Sequence, residues 1–216
     1  MDDSEANRLR PQYPGINHKR VYRIHTAEGP SIMKRKKTKR VGVRVLLVAA
    51  LAVKSDLGSM DFVSDAICRP GVNSRRIKCL TVADDFTHEC VDITADFGIG
   101  GHYVTRLLDR AATFRGYPMT VRTDNGLEFT CRAFMTWAQK HGIQHILIEL
   151  GSPTQNAYVE SFNGTFRDEC LDENWFESFE LARQTIATWR NHYSETRPNS
   201  SCEHVPPATF AAMNHI

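Results

Sequence analysis

No stretch constrains the fold more than SPTQNAYVESFNGTFRDECL, from Ser152 to Leu171. Ser152 can cap a helix, Pro153 suits the first helical position, and Gln155 completes a Ser-x-x-Gln capping box. Val159, Phe162, Phe166 and Cys170 recur at helical spacing, so one face of this helix is apolar and must be covered by another layer. Glu160, Gly164 and Arg167 fall at i, i+4 and i+7 on a different face. A glycine in a helix interior costs about 1 kcal/mol. It is easier to understand if something bulky, such as a nucleic-acid backbone, approaches there. A surface helix whose Glu and Arg are simply solvated accounts for the same residues equally well.

The layer that covers this helix is a sheet. SMDFVSDAI (59–67), RRIKCLTVADDF (75–86) and ECVDITADF (89–97) read as three strands joined by short polar links, the pattern of antiparallel neighbours. HYVTRLLDRAATFRG (102–116) is an amphipathic helix ended by Gly116, with Tyr103, Leu107, Leu108 and Ala111 on its buried face. A strand, PMTVRTDNG (118–126), runs into a polar turn. A helix, RAFMTWAQKHG (132–142), and a fifth strand, IQHILIEL (143–150), complete the alternation. Beyond the helix of 152–171, a long helix over about 177–193 carries Phe179, Ala182, Ile186, Trp189 and Tyr193 on one stripe, and RPNSSCEHVPPATF reads as an extended, Pro-rich tail. The order predicts a single α/β domain over 58–216, a mixed five-stranded sheet flanked by helices.

Residues 1–57 form a separate piece, a basic N-terminal arm and linker. The first forty residues hold eleven Lys and Arg against four Asp and Glu, whereas the rest of the chain holds sixteen against twenty-one. KRKKTKR (34–40), with Lys34, Arg35, Lys36 and Lys37, suits phosphate contact, although a solvated charged linker has the same composition. NHKRVYRIHTAEG (17–29) predicts one short helical stretch, and VGVRVLLVAALAVKSDL (41–57) is apolar without punctuation, open to strand or helix. Its longest apolar run is too short to span a bilayer, and no secretory signal precedes it, so no membrane partner is expected. The six cysteines show no CxxC pair and no metal-ligand spacing; they fit reduced thiols of a cytoplasmic protein. His141 and His145 lie four apart, but Gly142 and the strand-like residues after it argue against a helical zinc pair.

Three acids stand out by position. Asp61 lies inside an apolar strand between Met60 and Phe62, where a carboxylate is costly unless it pairs, protonates or holds a metal. Asp124 ends the fourth strand, and Glu160 is on the constraining helix with 35 residues between the two. If the first and fourth strands are neighbours, Asp61 and Asp124 stand side by side and the helix can lay Glu160 against both. Three such carboxylates repel one another and call for divalent cations; oxygen-only ligation favours Mg²⁺ or Mn²⁺. Two such ions can activate a water or a 3′-hydroxyl and stabilise the leaving oxygen of a phosphodiester. Asp124-Asn125-Gly126 is equally a good turn sequence, Asp84 and Asp85 are as readily turn residues as ligands, and Glu128 is expected to be solvated.

The segments MDFVSDA, LTVADDFTHEC, VRTDNGLEF, PTQNAYVESFNGTFRDECL and WRNHYSETRPNSS resemble the OrfB transposases of two-reading-frame bacterial insertion sequences. That family shares the integrase catalytic core of retroviral integrases, an RNase H-like fold, and the resemblance covers roughly 59–210. It implies that Asp61, Asp124 and Glu160 are the DDE ligands of two Mg²⁺ (or Mn²⁺) ions, that Arg167 contacts DNA phosphate, and that Asn125, Gly126, Gln155, Asn156 and Asn163 shape the active-site rim or touch DNA. The implied activity is metal-dependent cleavage and transfer of DNA strands during transposition. Implied partners are the element's ends, target DNA, further copies of the chain on DNA and a partner reading-frame product carrying a helix-turn-helix, at the nucleoid of a bacterium. NHKRVYRI looks like the end of that helix-turn-helix region.

The sequence also departs from the family. Gly58 stands where the family usually has Trp, and VGVRVLLVAALAVKSDL replaces a Pro-rich linker and reads like sequence from another frame. Ser152 replaces a common Lys or Arg, Leu150 a Pro, and Asn199 a His. Two other functions remain open at this point: a DNA-binding remnant that has lost catalysis, and an RNase H-like nuclease using water as nucleophile.

Overall fold

The computed structural model describes residues 57–68, 71, 73–148 and 157–214. The basic arm, the apolar linker and the capping residues Ser152 to Gln155 lie outside this set. Five strands form one sheet: β1 (Leu57–Ile67), β2 (Arg75–Asp84), β3 (Cys90–Asp96), β4 (Thr120–Thr123) and β5 (Gln144–Leu147), in the order β3-β2-β1-β4-β5. The first three form an antiparallel meander, whereas β4 and β5 add in parallel. Parallel addition requires a crossover. α1 (Gly101–Arg115) supplies the crossover before β4, and α2 (Leu127–Thr130) with α3 (Arg132–Lys140) supplies the one before β5. The chain then enters α4 (Ala157–Phe166), a wide π-type turn (Arg167–Leu171), α5 (Phe179–Glu195) and α6 (Pro207–Asn214).

Alternation along β1 and β2 feeds two cores, one on each face of the sheet. Val63, Ile67, Ile77 and Cys79 face α4 and α5, where they meet Phe162, Phe166, Ile186 and Trp189. Met60, Leu80 and Val82 face the other way, against Val104 and Leu107 of α1 and Phe134 and Trp137 of α3. The apolar stripe predicted on the 152–171 helix is buried throughout: Val159, Phe162, Phe166 and Cys170 are 0–2 % exposed. Each large side chain so buried contributes about 1.5–3 kcal/mol. On α1 the buried residues are Val104, Thr105, Leu107 and Leu108; Tyr103 is only half-buried, at the margin of the core.

The structure differs from the sequence expectations mainly at element ends. β4 stops at Thr123 because the Asp124 carboxylate turns back to accept from the Gly126 N–H at 3.0 Å. The tail is not extended. Asn199 caps a short 3₁₀ turn at Ser200–Cys202, and Pro207 opens α6. A helix's first turn needs no proline N–H, so the prolines start this helix rather than prevent it. His141 and His145 separate: His141 stacks on Tyr117 at 4.0 Å, while His145 lies in β5. All six cysteines are free thiols, and burial pushes Cys79 and Cys170 up to about 12, which keeps them unreactive. Among the described residues no helix is long and apolar enough to cross a membrane.

Beneath the start of β1 lies a cavity of about 570 Å³, lined by Gly58, Met60, Val82, Leu108, Val121 and Trp137 among others. Gly58 is paired on both sides, with Asp84 and Val121, and a Cβ there would meet nothing closer than the Ala83 carbonyl at 3.8 Å. A strand-interior glycine costs roughly 0.5–1 kcal/mol relative to alanine. Gly58→Val, which also fills part of the cavity, is therefore expected to stabilise the fold by about 1 kcal/mol, a rise of ~2–4 °C in Tm for a domain of this size. A thermal melt checks this; a lower Tm would mean that the cavity wall does not accept a side chain.

Candidate active site

The parallel register that pairs Met60 with Thr123 places Asp61 and Asp124 next in line on adjacent strands, about 5 Å apart at the backbone. Asp61 is also the first residue of β1 beyond the β4 ladder. From there to Ile67, β1 has its β2 partner on one edge and no strand among the described residues on the other. The site thus sits where the sheet splits, at the carboxyl end of its parallel strands, the usual crevice of open α/β sheets.

Asp61 is held firmly. Its Oδ1 accepts from the Phe62 N–H at 2.7 Å and its Oδ2 from Asn163 Nδ2 at 2.9 Å. Burial pushes its carboxyl above the ordinary range, opposed by these two hydrogen bonds and reinforced by the negative charges of Asp124 and Glu160. Both other acids lie near enough for their charge to add to this upward push on Asp61. Asn163 lies on α4 one turn after Glu160, so its bond to Asp61 fixes where Glu160 is presented. Glu160 itself is exposed.

The remaining candidates divide by location. Asn163 was expected at the rim or on DNA; it is 8 % exposed, and both ends of its amide are used inside the protein, Nδ2 on Asp61 and Oδ1 accepting from the Thr81 hydroxyl at 2.8 Å. Asn125 is exposed, and its Nδ2 donates to the Ile148 carbonyl at 2.8 Å, tying the turn after β4 to the chain beyond β5. Arg167 is exposed and leans its guanidinium on the Ser64 carbonyl, at 3.4 and 3.5 Å, along the open edge of β1. Gln155, Asn156, Lys34, Arg35, Lys36 and Lys37 lie outside the described residues. Glu128 is not solvated as expected: it forms an ion pair with Lys78, whose ammonium also lies 3.7 Å from the centre of the Phe62 ring. Partial burial would raise the Glu128 carboxyl, but the hydrogen bond and charge of Lys78 outweigh it and hold it below its ordinary range. Asp84 is a turn residue, accepting from Phe86 and Thr87 N–H groups. Asp85 forms a buried ion pair with Arg122 at 3.1 Å.

Two contributors, Thr81 and Thr123, are not singled out from sequence, and a third, His145, is considered there only as a metal ligand. Thr81, buried on β2, supports Asn163. Thr123, also buried, donates to the Asp124 carbonyl at 2.9 Å, and the ring of His145 lies 2.8 Å from the same hydroxyl. Burial lowers the His145 pKa and favours the neutral ring. Buried threonines directly before or opposite a strand acid were the available signal; the partners, 22 and 82 residues away, were not.

Two integrase core domain models match the chain, over residues 55–153 and 141–207. An uncharacterized 39.2 kDa protein of insertion element IS476 from Xanthomonas euvesicatoria is 60 % identical over 205 residues, covering 94 % of this chain and 58 % of that protein. An uncharacterized 31.7 kDa protein of insertion element IS407 from Burkholderia multivorans is 52 % identical over 198 residues, covering 92 % and 70 %. The putative transposase InsK of insertion sequence element IS150 from Escherichia coli is 23 % identical over 209 residues, covering 93 % and 73 %. Among solved structures, the HTLV-2 integrase catalytic core domain in complex with magnesium superimposes with a TM-score of 0.56 at 13 % identity, covering 73 % of this chain and 97 % of that one. A simian T-cell lymphotropic virus intasome in complex with PP2A regulatory subunit B56 gamma gives 0.59 at 16 % identity, covering 94 % and 68 %. These two likenesses establish the integrase, RNase H-like fold. Identity of one half or more to insertion-element proteins, over nearly all of its length, shows that the chain belongs to the OrfB-type insertion-element transposases built on an integrase core domain.

Proposed function

We propose that this chain is the catalytic core of a DDE transposase, which cuts the ends of its insertion element and joins the freed 3′-hydroxyl to another DNA strand. The observation that carries this reading is Asp61: a half-buried strand carboxylate, fixed by two donors, whose charge is opposed by Asp124 and Glu160. Such an arrangement is costly and gains most from a cation. The donor set is oxygen only, which fits Mg²⁺ or Mn²⁺. Among the described residues no three His, Cys, Asp or Glu side chains form a ready-made cage. Glu160, exposed on α4, would have to turn toward the aspartate pair to complete one. Two bound divalent ions would supply activation of the attacking hydroxyl and stabilisation of the leaving oxygen.

The chain's own residues supply the placement. Asn163 and the Phe62 N–H orient Asp61; the Gly126 N–H orients Asp124; Arg167, exposed beside the open edge of β1, presents a fork-shaped donor suited to phosphate. Lys34, Arg35, Lys36, Lys37, Gln155 and Asn156 would extend the DNA contacts, and Asn125 would hold the turn beside them. Synapsis of two element ends calls for more than one copy of the chain. A partner reading-frame product would add a helix-turn-helix, and the integrase core would form one unit over 58–216, preceded by the basic arm.

The test is strand joining by the full chain, using a pre-nicked end of the parent element with Mg²⁺ or Mn²⁺. Joined product that requires both the divalent ion and Glu160, with Glu160→Gln as the control, is the expected result. No joining by folded protein that still binds the DNA would favour the catalytically dead remnant.

One residue of the Asp124 turn gives a sharper expectation. A Cβ on Gly126 would lie 3.0 Å from Asp124 Oδ1 and 3.2 Å from Glu128 Oε2, so two carboxylates crowd the position although its backbone is unstrained. Gly126→Ala is expected to push Asp124 aside and slow joining about 10-fold, ~1.4 kcal/mol in the barrier. Single-turnover rates measure this, and an unchanged rate would mean that the Asp124 position is not critical.

A further inference from the structure

We infer that Thr81 is a positioning residue of this site, acting on Asp61 through Asn163; the catalytic part of this inference rests on the function proposed above. Thr81 faces Asp61 directly across the β1–β2 ladder and is fully buried. Its hydroxyl lies 2.8 Å from Asn163 Oδ1 and 3.1 Å from the Asp61 carbonyl oxygen.

A hydroxyl carries one proton, so it can satisfy only one of these acceptors at a time. An asparagine amide has one accepting end and one donating end, and a half-turn exchanges them. Metal-ligating Asp61 is an acceptor only, so the Nδ2 end must face it, which turns Oδ1 toward Thr81. The Thr81 proton then belongs on Oδ1, the shorter of its two contacts. Without that donor, Oδ1 would be a buried acceptor with no partner, and the amide would gain by rotating or leaving its place. Either motion withdraws the Nδ2 bond that aims Asp61. Thr81 thus supports the liganding carboxylate without touching it, in the manner of outer-shell partners at metal sites.

The test compares Thr81→Val, nearly the same shape without the donor, with Thr81→Ser, which keeps it. Melting temperature and circular dichroism control for folding. Strand joining by T81V is expected to fall ~10–100-fold, and by T81S to stay within about 3-fold of the parent chain. In an Asn163→Ala background, T81V should add almost no further loss, because its effect passes through that amide. A second readout needs no activity: the side-chain amide signal of Asn163 in ¹H–¹⁵N spectra, assigned by its absence in N163A. It should move in T81V and stay in place in T81S. An unmoved signal in T81V overturns the inference, as does an unchanged joining rate, or an effect of T81V that is fully additive with N163A. If the parent chain joins no DNA at all, the proposed function falls, and the amide signal alone decides whether Thr81 holds Asn163.

Discussion

Asp61→Asn is expected to abolish strand joining while making the metal-free protein more stable. The catalytic loss should be at least ~10³-fold, about 4 kcal/mol in the barrier, because one of the three proposed metal ligands is removed. The gain in stability follows from the raised pKa of Asp61, whose causes are burial first and the repulsion of Asp124 and Glu160 after it. A carboxyl whose pKa is higher in the folded protein than its ordinary 3.8 favours folding in its protonated form. That contribution is fully present below pH 3.8 and is lost as pH rises through the raised folded value. Above this window the parent chain bears the whole cost of the charge and D61N bears none. The two proteins should therefore melt at similar temperatures in acid and diverge toward neutral pH, with D61N higher. Added Mg²⁺ should narrow the gap by stabilising the parent chain alone. Equal melting at pH 7 would mean that Asp61 is not under the strain its surroundings impose.

Gly101→Ala should produce the largest loss of stability among the single changes considered. Gly101 opens α1, and a Cβ there would lie 2.1 Å from Cys131 Sγ and 2.8 Å from the Glu128 carbonyl oxygen. The sulfur can rotate away, but the carbonyl is backbone, so the junction of α1 with α2 and α3 must open. A cost of about 3 kcal/mol is expected for such overpacking, with Tm lower by ~6–12 °C. Cys131→Ala in the same chain should recover only part of this, because the carbonyl clash remains. Joining should weaken as well, since α2 begins immediately after the turn that holds Asp124. A thermal melt with unchanged Tm would show that α1 and α2 are not packed this closely.

The periodic parts of this fold were legible from residues alone. The short apolar run IKCLTVA between polar links reads as β2, which is buried on both faces, and the stripe Val159, Phe162, Phe166, Cys170 reads as the covering helix, whose apolar face must be buried. The pairing of β1 with β4, on which the meeting of Asp61 and Asp124 depends, was a conditional reading that the sheet order bears out. What stayed hidden is non-local. Nothing near Glu128 announces Lys78, fifty residues earlier, and nothing near Asn163 announces Thr81. Asp85 does lie in a turn, but its ion pair with Arg122 could not be read locally because Arg122 arrives from another strand. The prolines before Phe210 masked α6, since proline breaks a helix interior but is well suited to a helix's first turn.

The sheet order also dictates when the site can exist. β1 and β2 each pair with their immediate successor, so this meander can form as soon as it has been synthesised. β4 must then return to β1 from the far side of α1, bringing Asp124 to Asp61, and only afterwards is Glu160 made. A ribosome that stalls before residue 157 releases two of the three acids on a sheet whose α4 and α5 face is bare. For a protein proposed to cut DNA, biosynthetic order would act as a safeguard: an unfinished chain would lack the third of its proposed metal ligands.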